Sequence, residues 1–210
     1  MRGHLVVALC AIGAAGCLPS MQLEPRFAVR ATPWEMPEVY GFWPPGETRV
    51  GPYVVRDVRI DHRAARDGGG FEIRLVVVHP EGREDAVRCT GTGVPRRGDG
   101  MSCELRGALG VRMMTSVPSH PSTLEGEVRY VVRDAEGPDA SADRYVVLRP
   151  RPTDARGGYY VAHGAELLAA IDLTVIGVPR AHADPDLDPY AEHEVASILA
   201  TLFIAEGIAL

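Results

Sequence analysis

The chain has 210 residues, 46% of them hydrophobic and 24% charged, with a formal net charge of −6. That apolar content excludes a disordered chain, and four cysteines are too few for a disulfide-dense miniprotein. The acidic balance argues against the basic footprint of a nucleic-acid-binding surface, and the length admits one or two domains with a buried core. All 22 cationic residues are Arg, while Lys and Asn are absent and Gln occurs once, at Gln22. Arg, Ala, Gly and Pro are the residues of GC-rich codons, so this bias reads as genomic and not functional.

Met1-Arg2-Gly3-His4 is a short cationic start, and residues 5–15 form an unbroken small and apolar run. The run falls short of the roughly 20 residues a spanning helix needs and has the length of a signal-peptide core. It leads into Ala14-Ala15-Gly16-Cys17, which resembles the lipobox of bacterial lipoproteins, with Ala14 where that family usually has Leu. The resemblance implies cleavage before Cys17 and acylation of both its sulfur and the new N-terminus. More than one acyl chain gives stable anchoring, which a single chain does not. Leu18 stands where Asp would retain an enteric lipoprotein in the inner membrane. The resemblance therefore implies the outer membrane, facing the periplasm or the surface. The other reading of these residues is ordinary secretion with small residues before the cut.

Cleavage would remove Cys10 with residues 1–16 and leave Cys17 as the anchor. Cys89 and Cys103 then form an even pair in an oxidising compartment, where disulfides persist. A bridge between them would close a loop of about 15 residues, worth about 3 kcal/mol in the chain-entropy model. A metal or redox pair is the rival, but there is no C-x-x-C and no nearby His at ligand spacing.

Residues 17–50 are Pro-rich, with Pro19, Pro25, Pro33, Pro37, Pro44 and Pro45, and read as a tether reaching roughly 30 Å. Trp34, Tyr40, Phe42 and Trp43 crowd its second half and include both tryptophans. They are expected to pack over an open edge or end of the next domain. The alternative is an exposed anchor for an envelope-protein partner through Trp34, Tyr40 and Trp43.

Residues 51–150 change to period two. Val58-Arg59-Ile60-Asp61 alternates, Phe71, Ile73, Leu75 and Val77 line one face, Val87 joins Cys89, and Cys103 joins Leu105. Val111, Met113, Thr115 and Val117 make a further stripe, as do Val128, Tyr130 and Val132, and Tyr145-Val146-Val147-Leu148 is a more buried run. Turn chemistry separates them at Asp67-Gly68-Gly69-Gly70, His79-Pro80-Glu81-Gly82, Arg97-Gly98-Asp99-Gly100 and Glu136-Gly137-Pro138-Asp139. About seven strands in about 100 residues predict a mainly β fold, an antiparallel β-sandwich of immunoglobulin-like type or a small barrel.

After residue 150 a linker leads to a last strand at Tyr159-Tyr160-Val161, and two helices are expected, over 165–176 and 191–210. Val195, Ile198, Leu199 and Leu202 recur at helical spacing, and residues 198–205 are apolar on nearly all sides. The second helix is therefore expected to pack deeply against the β domain or the first helix, with lipid contact as the alternative.

No G-x-S-x-G elbow, phosphate loop, dinucleotide fingerprint or H-E-x-x-H occurs. Asp184, Asp186, Asp188 and Glu192 cluster beside His182, His193 and Glu194, and Asp at spacing two begins an EF-hand loop. Pro189 stands where that loop needs Gly, and Val195 where it needs Glu. These residues are the candidate ligands for calcium, or for the metal of a metal-assisted hydrolase; a solvated acidic loop entering a helix is the alternative. Arg97-Gly98-Asp99 resembles the integrin-recognition tripeptide of adhesive proteins, although turns use the same residues. No pair among His62, His79, His120 and His163 has ligand or triad spacing. The expectation is a lipid-anchored envelope protein acting as a binding or scaffolding module, with an envelope partner, no nucleic acid, no cofactor and no catalytic site.

Overall fold

A computed structural model describes residues 21, 23–37, 46–63, 69–92, 100–108, 110–121, 124, 126–138, 140–150, 158–173 and 179–208. Its core is one sheet of twelve strands, mutually antiparallel. They are β1 (Thr32–Trp34), β2 (Thr48–Val50), β3 (Tyr53–Arg63), β4 (Gly70–Val78), β5 (Glu84–Thr92), β6 (Ser102–Gly107), β7 (Gly110–Pro121), β8 (Glu127–Asp134), β9 (Tyr145–Arg149), β10 (Gly158–His163), β11 (Glu166–Asp172) and β12 (Arg180–Ala183). From β2 to β12 each strand pairs with the next in the chain, and β1 adds to the far edge beside β12. The two edges are brought close together. Gly51, in the β2–β3 turn, donates its N–H to Glu35 O at 2.7 Å, and the Trp34 ring lies 5.8 Å from that of Tyr53. The sheet thus curls into a nearly closed barrel, which shortens the exposed edges that would otherwise invite pairing with other chains. Gly51 is required at this seam. Its φ of +58° is left-handed, and a Cβ there would stand 2.6 Å from the Trp34 ring.

A barrel of this many strands is too wide for wall side chains alone to fill. Helix α2 (Pro189–Leu202), continued by a π-helical turn (Phe203–Ile208), lies against β2, β4, β5 and β11, strands from both ends of the sheet order. Val195, Ile198, Leu199, Leu202, Phe203 and Ile204 are buried, together with inward residues such as Ile73, Leu75, Leu105 and Val147. All-round apolarity is the requirement for a helix surrounded by a wall. A short helix, α1 (Pro25–Arg30), packs on the outside, with Phe27 in a second cluster that includes Leu148, Tyr160, Ala162 and Ala170. Among the described residues no helix is long and apolar enough to cross a membrane.

The mainly β fold with a C-terminal helix is as expected, and of the two expected architectures the single curled sheet matches the barrel and not the two-layer sandwich. The sheet extends to both sides of residues 51–150. Strands β1 and β2 and helix α1 come from the stretch read as tether; β10 contains the strand expected at Tyr159-Tyr160-Val161, and β11 and β12 come from the stretch read as helix and loop. The helix expected over 165–176 is not formed; β11 occupies Glu166–Asp172. Ala169 and Ile171 face the barrel interior while Ala170 lies under the outer cluster. With both faces buried the strand shows no polar alternation, and its apolar run cannot be told from a helix by period.

Cys89 and Cys103 are directly opposite on β5 and β6, both fully buried, and joined by a disulfide. Cys89→Ser with Cys103→Ser is expected to cost about 3 kcal/mol. Urea unfolding with and without reductant measures it, and an unchanged midpoint would contradict the expectation.

Candidate functional site

Two groupings of polar residues stand out, one inside the barrel and one on its outer face. Inside, Asp85 on β5 is fully buried. Its Oδ2 accepts from Arg112 Nη2 on β7 at 2.6 Å and from Ser197 Oγ on α2 at 2.8 Å, and lies 3.1 Å from His193 Nε2. Arg112 is 1% exposed and also donates to Glu194 Oε1 at 3.2 Å. Arg144, at the rim, stands 3.5 Å from the same carboxylate. Helix α2 places His193, Glu194 and Ser197 along neighbouring turns, so the ion pairs tie the helix to β5 and β7. Near His193 lie the rings of His79 at 5.2 Å and Tyr53 at 5.9 Å.

Gly107 makes room for the centre of this cluster. It faces Asp85 across the β5–β6 ladder, and a Cβ there would fall on Asp85 Oδ1 and within 2.7 Å of Glu84 O. Burial by itself pushes the Asp85 carboxyl up, but His193, Arg112 and Ser197 together outweigh it and hold the carboxyl below its ordinary 3.8. Burial, then the positive charge of Arg83, holds His79 below 6.5, and burial does the same for His182. Both histidines are therefore more readily protonated in the unfolded chain than in the barrel. Stability is expected to fall as pH drops through 6.5 toward their lower folded values. A further loss follows below 3.8 as Asp85 gains its proton. Glu192, raised by burial, works in the opposite sense around and above 4.5. Thermal melts from neutral pH down to about pH 5 test the histidine contribution, and His79→Gln with His182→Gln should flatten the slope.

The cluster holds nucleophile, base and acid side chains, yet Asp85, Ser197 and His193 are at most 1% exposed behind the wall and the helix backbone. Ser197 donates to the Asp85 carboxylate and not to the His193 imidazole, so its hydroxyl is engaged away from that imidazole.

The outer face carries the second grouping. Between Arg56 and Arg59 the β3–β4 register shifts, and Asp57 adopts a left-handed φ of 55°. Such a bulge redirects side chains and is tolerated by Asp better than by most residues. Beside it is a depression of about 330 Å³ lined by the cations Arg59, Arg74, Arg88 and Arg106, the carboxylates Asp57 and Glu104, and apolar residues such as Val76 and Ala86. Arg59, Arg74 and Arg88 are directly opposite one another on β3, β4 and β5. Like charges in register repel. Glu72 offsets two of them, accepting from Arg74 at 2.6 Å and Arg88 at 2.8 Å, and these bonds hold its carboxyl below the usual carboxylate range. Glu104 accepts from Arg106. Among the described residues Arg59 makes no ion pair.

The acidic stretch expected to bind metal is built differently. Asp184 is buried, ion-paired with Arg30 of α1, and accepts the N–H of Asp186 at 3.0 Å. Asp188 is the N-cap of α2, accepting from the N–H groups of Tyr190 and Ala191 at 2.8 and 2.9 Å. Glu192 sits in the first turn of the helix. These carboxylates serve a turn and a cap, and among the described residues no three His, Cys, Asp or Glu converge to hold a metal ion. The residues expected to ligate a metal thus have these turn, cap and ion-pair partners. Trp34 packs at the barrel seam against Tyr53 and the interior cluster, as the packing expectation has it. Cys17, Tyr40, Trp43 and the Arg97-Gly98-Asp99 tripeptide lie outside the described residues.

His193 and Glu194 fell within the acidic segment singled out from the sequence, for a metal; Asp85, Gly107, Arg112 and Ser197 were not singled out. The available signal was Asp85, two residues before Val87 on an otherwise inward apolar stripe. On β7 that reasoning chose the wrong face. Arg112 and Met114 point inward, and Val111, Met113, Thr115 and Val117 are only partly buried on the other side. A charged residue in the interior inverted the face assignment.

Fold and site together define a helix-filled antiparallel barrel with a buried ion-pair cluster and an arginine-lined outer depression. Comparison with protein-family models, with curated proteins and with solved structures gives no match.

Proposed function

We propose that the chain is an exported lipoprotein of the bacterial cell envelope, anchored through Cys17 at the outer membrane. Its barrel is a non-catalytic module that binds a partner bearing carboxylate or phosphate groups. The anchor is supported by the signal-like residues 5–15 and by the lipobox-like Ala14-Ala15-Gly16-Cys17. The binding role rests on one observation, the depression beside the Asp57 bulge. There guanidinium groups in register surround a small apolar floor, and Arg59 has no carboxylate of its own among the described residues. Guanidinium forks match carboxylate and phosphate oxygens, and an apolar floor adds contact area. Enclosure of Ser197, His193 and Asp85 supports a non-catalytic reading, because a substrate would have to enter past the helix that fills the barrel.

A photo-crosslinking residue at the exposed Ala86 tests this in living cells. The expected result is a discrete adduct that is lost with Arg59→Gln, Arg74→Gln and Arg88→Gln combined, while the protein level is unchanged. Failure to form an adduct, or an adduct indifferent to the three substitutions, would overturn the binding role.

A further inference from the structure

We propose that one end of the barrel, where β10 begins and β11 ends, rests on the surface of the bilayer. This depends on the reading of Cys17 as the lipid anchor and adds an orientation to it. The described chain is already fixed to the wall at Met21. Its N–H donates to Asp172 Oδ2 at 2.9 Å, its side chain is 7% exposed, and its sulfur occupies the place a Cβ would take at Gly158. Glu24 N–H then donates to Tyr160 Oη at 2.6 Å, and Phe27 stacks edge-on against the same ring at 6.2 Å. Further along, Arg30 donates to Leu167 O at 2.8 Å, near the opposite end of β11. Met21, Glu24, Phe27 and Arg30 thus mark a path up the outer wall from the Gly158 and Asp172 end.

Four Cα-to-Cα steps separate Cys17 from Met21, a reach of at most about 14 Å. A free spacer as long as residues 17–50 would leave the barrel's orientation unset, whereas a leash this short fixes which end meets the headgroups. Away from the seam the opposite end lies a strand length off; along β4, with nine residues, that is about 30 Å. Arg180 is exposed and faces Asp172 across the ladder, and the partly exposed Arg149 ends the neighbouring β9. Both cations stand at the end nearest the anchor, where lipid phosphates would meet them.

The lipidated full chain in phosphatidylethanolamine and phosphatidylglycerol vesicles provides the test. Single fluorescent labels are placed through Thr92→Cys, at the anchor end of β5, or through Glu136→Cys, in the β8–β9 turn at the other end. Quenching by nitroxide-headgroup lipid is expected to be several-fold stronger at position 92 than at 136. A Gly/Ser insert of about 20 residues after Leu18, adding roughly 25 Å of reach, should abolish the difference and leave the protein in the membrane fraction. Equal quenching without the insert, or a difference that survives it, would overturn the orientation. The anchor is read separately. Cys17→Ala should release the protein from membranes, and its retention there would overturn the anchor itself.

Discussion

Replacing Arg112 by Met destabilises the barrel by about 3–5 kcal/mol, because it removes the buried cation that bridges Asp85 and Glu194. Asp85 is fully buried and Glu194 is 2% exposed, and Arg112 touches both. Met fills the space of the aliphatic part of Arg, so the loss comes mainly from charge and hydrogen bonding. The exposed pair of Arg133 and Asp143, at 2.6 Å, provides the contrast. Arg133→Ala should cost less than about 1 kcal/mol, since solvent screens it. Urea unfolding midpoints of the two variants make the comparison, and similar small losses would show that the interior cluster does not hold the helix.

Gly107→Ala adds one methyl group and is expected to cost about 3 kcal/mol. The new Cβ would claim the position of the Asp85 carboxylate and press on Glu84 O, so Asp85 must turn away from Arg112, Ser197 and His193. Backbone propensity alone predicts the opposite sign, since Gly107 has no left-handed φ and Ala is ordinarily better than Gly in a strand. The effect should also overlap with that of Arg112→Met, the double variant losing less than the sum of the two, because both disrupt one network. A stabilised or neutral Gly107→Ala would mean that the carboxylate has another place to go.

Much of the wall was legible in the sequence. Phe71, Ile73, Leu75 and Val77 alternate with Glu72 and Arg74, and this strand faces water on one side, so its pattern is unambiguous. The pair of Cys89 and Cys103 was legible from the cysteine count, because Cys10 and Cys17 were assigned elsewhere and only these two remained. Legibility failed where both faces are buried, as at Ala169, Ala170 and Ile171, since nothing polar remains to mark a period. It failed again where a charge faces inward, as at Arg112. The all-round apolarity after Ile198 showed a buried helix but not its container, because a barrel interior and a bundle interior ask the same of a helix. The internal cluster joins Asp85 to residues 112 and 194 across ladders and a helix, and no local spacing encodes that meeting.

Helix α2 inside the wall keeps Asp85, His193 and Ser197 enclosed, and the proposed binding role of the outer face depends on it staying there. Native-state hydrogen exchange of the α2 backbone reads this most directly. Amides from His193 to Leu202 should exchange only through global unfolding, with the full dependence on denaturant and an opening free energy equal to that of the whole barrel. Exchange of these amides through a smaller local opening, while β4 and β5 stay protected, would mean that the helix leaves the barrel and exposes Asp85, His193 and Ser197, contradicting the account.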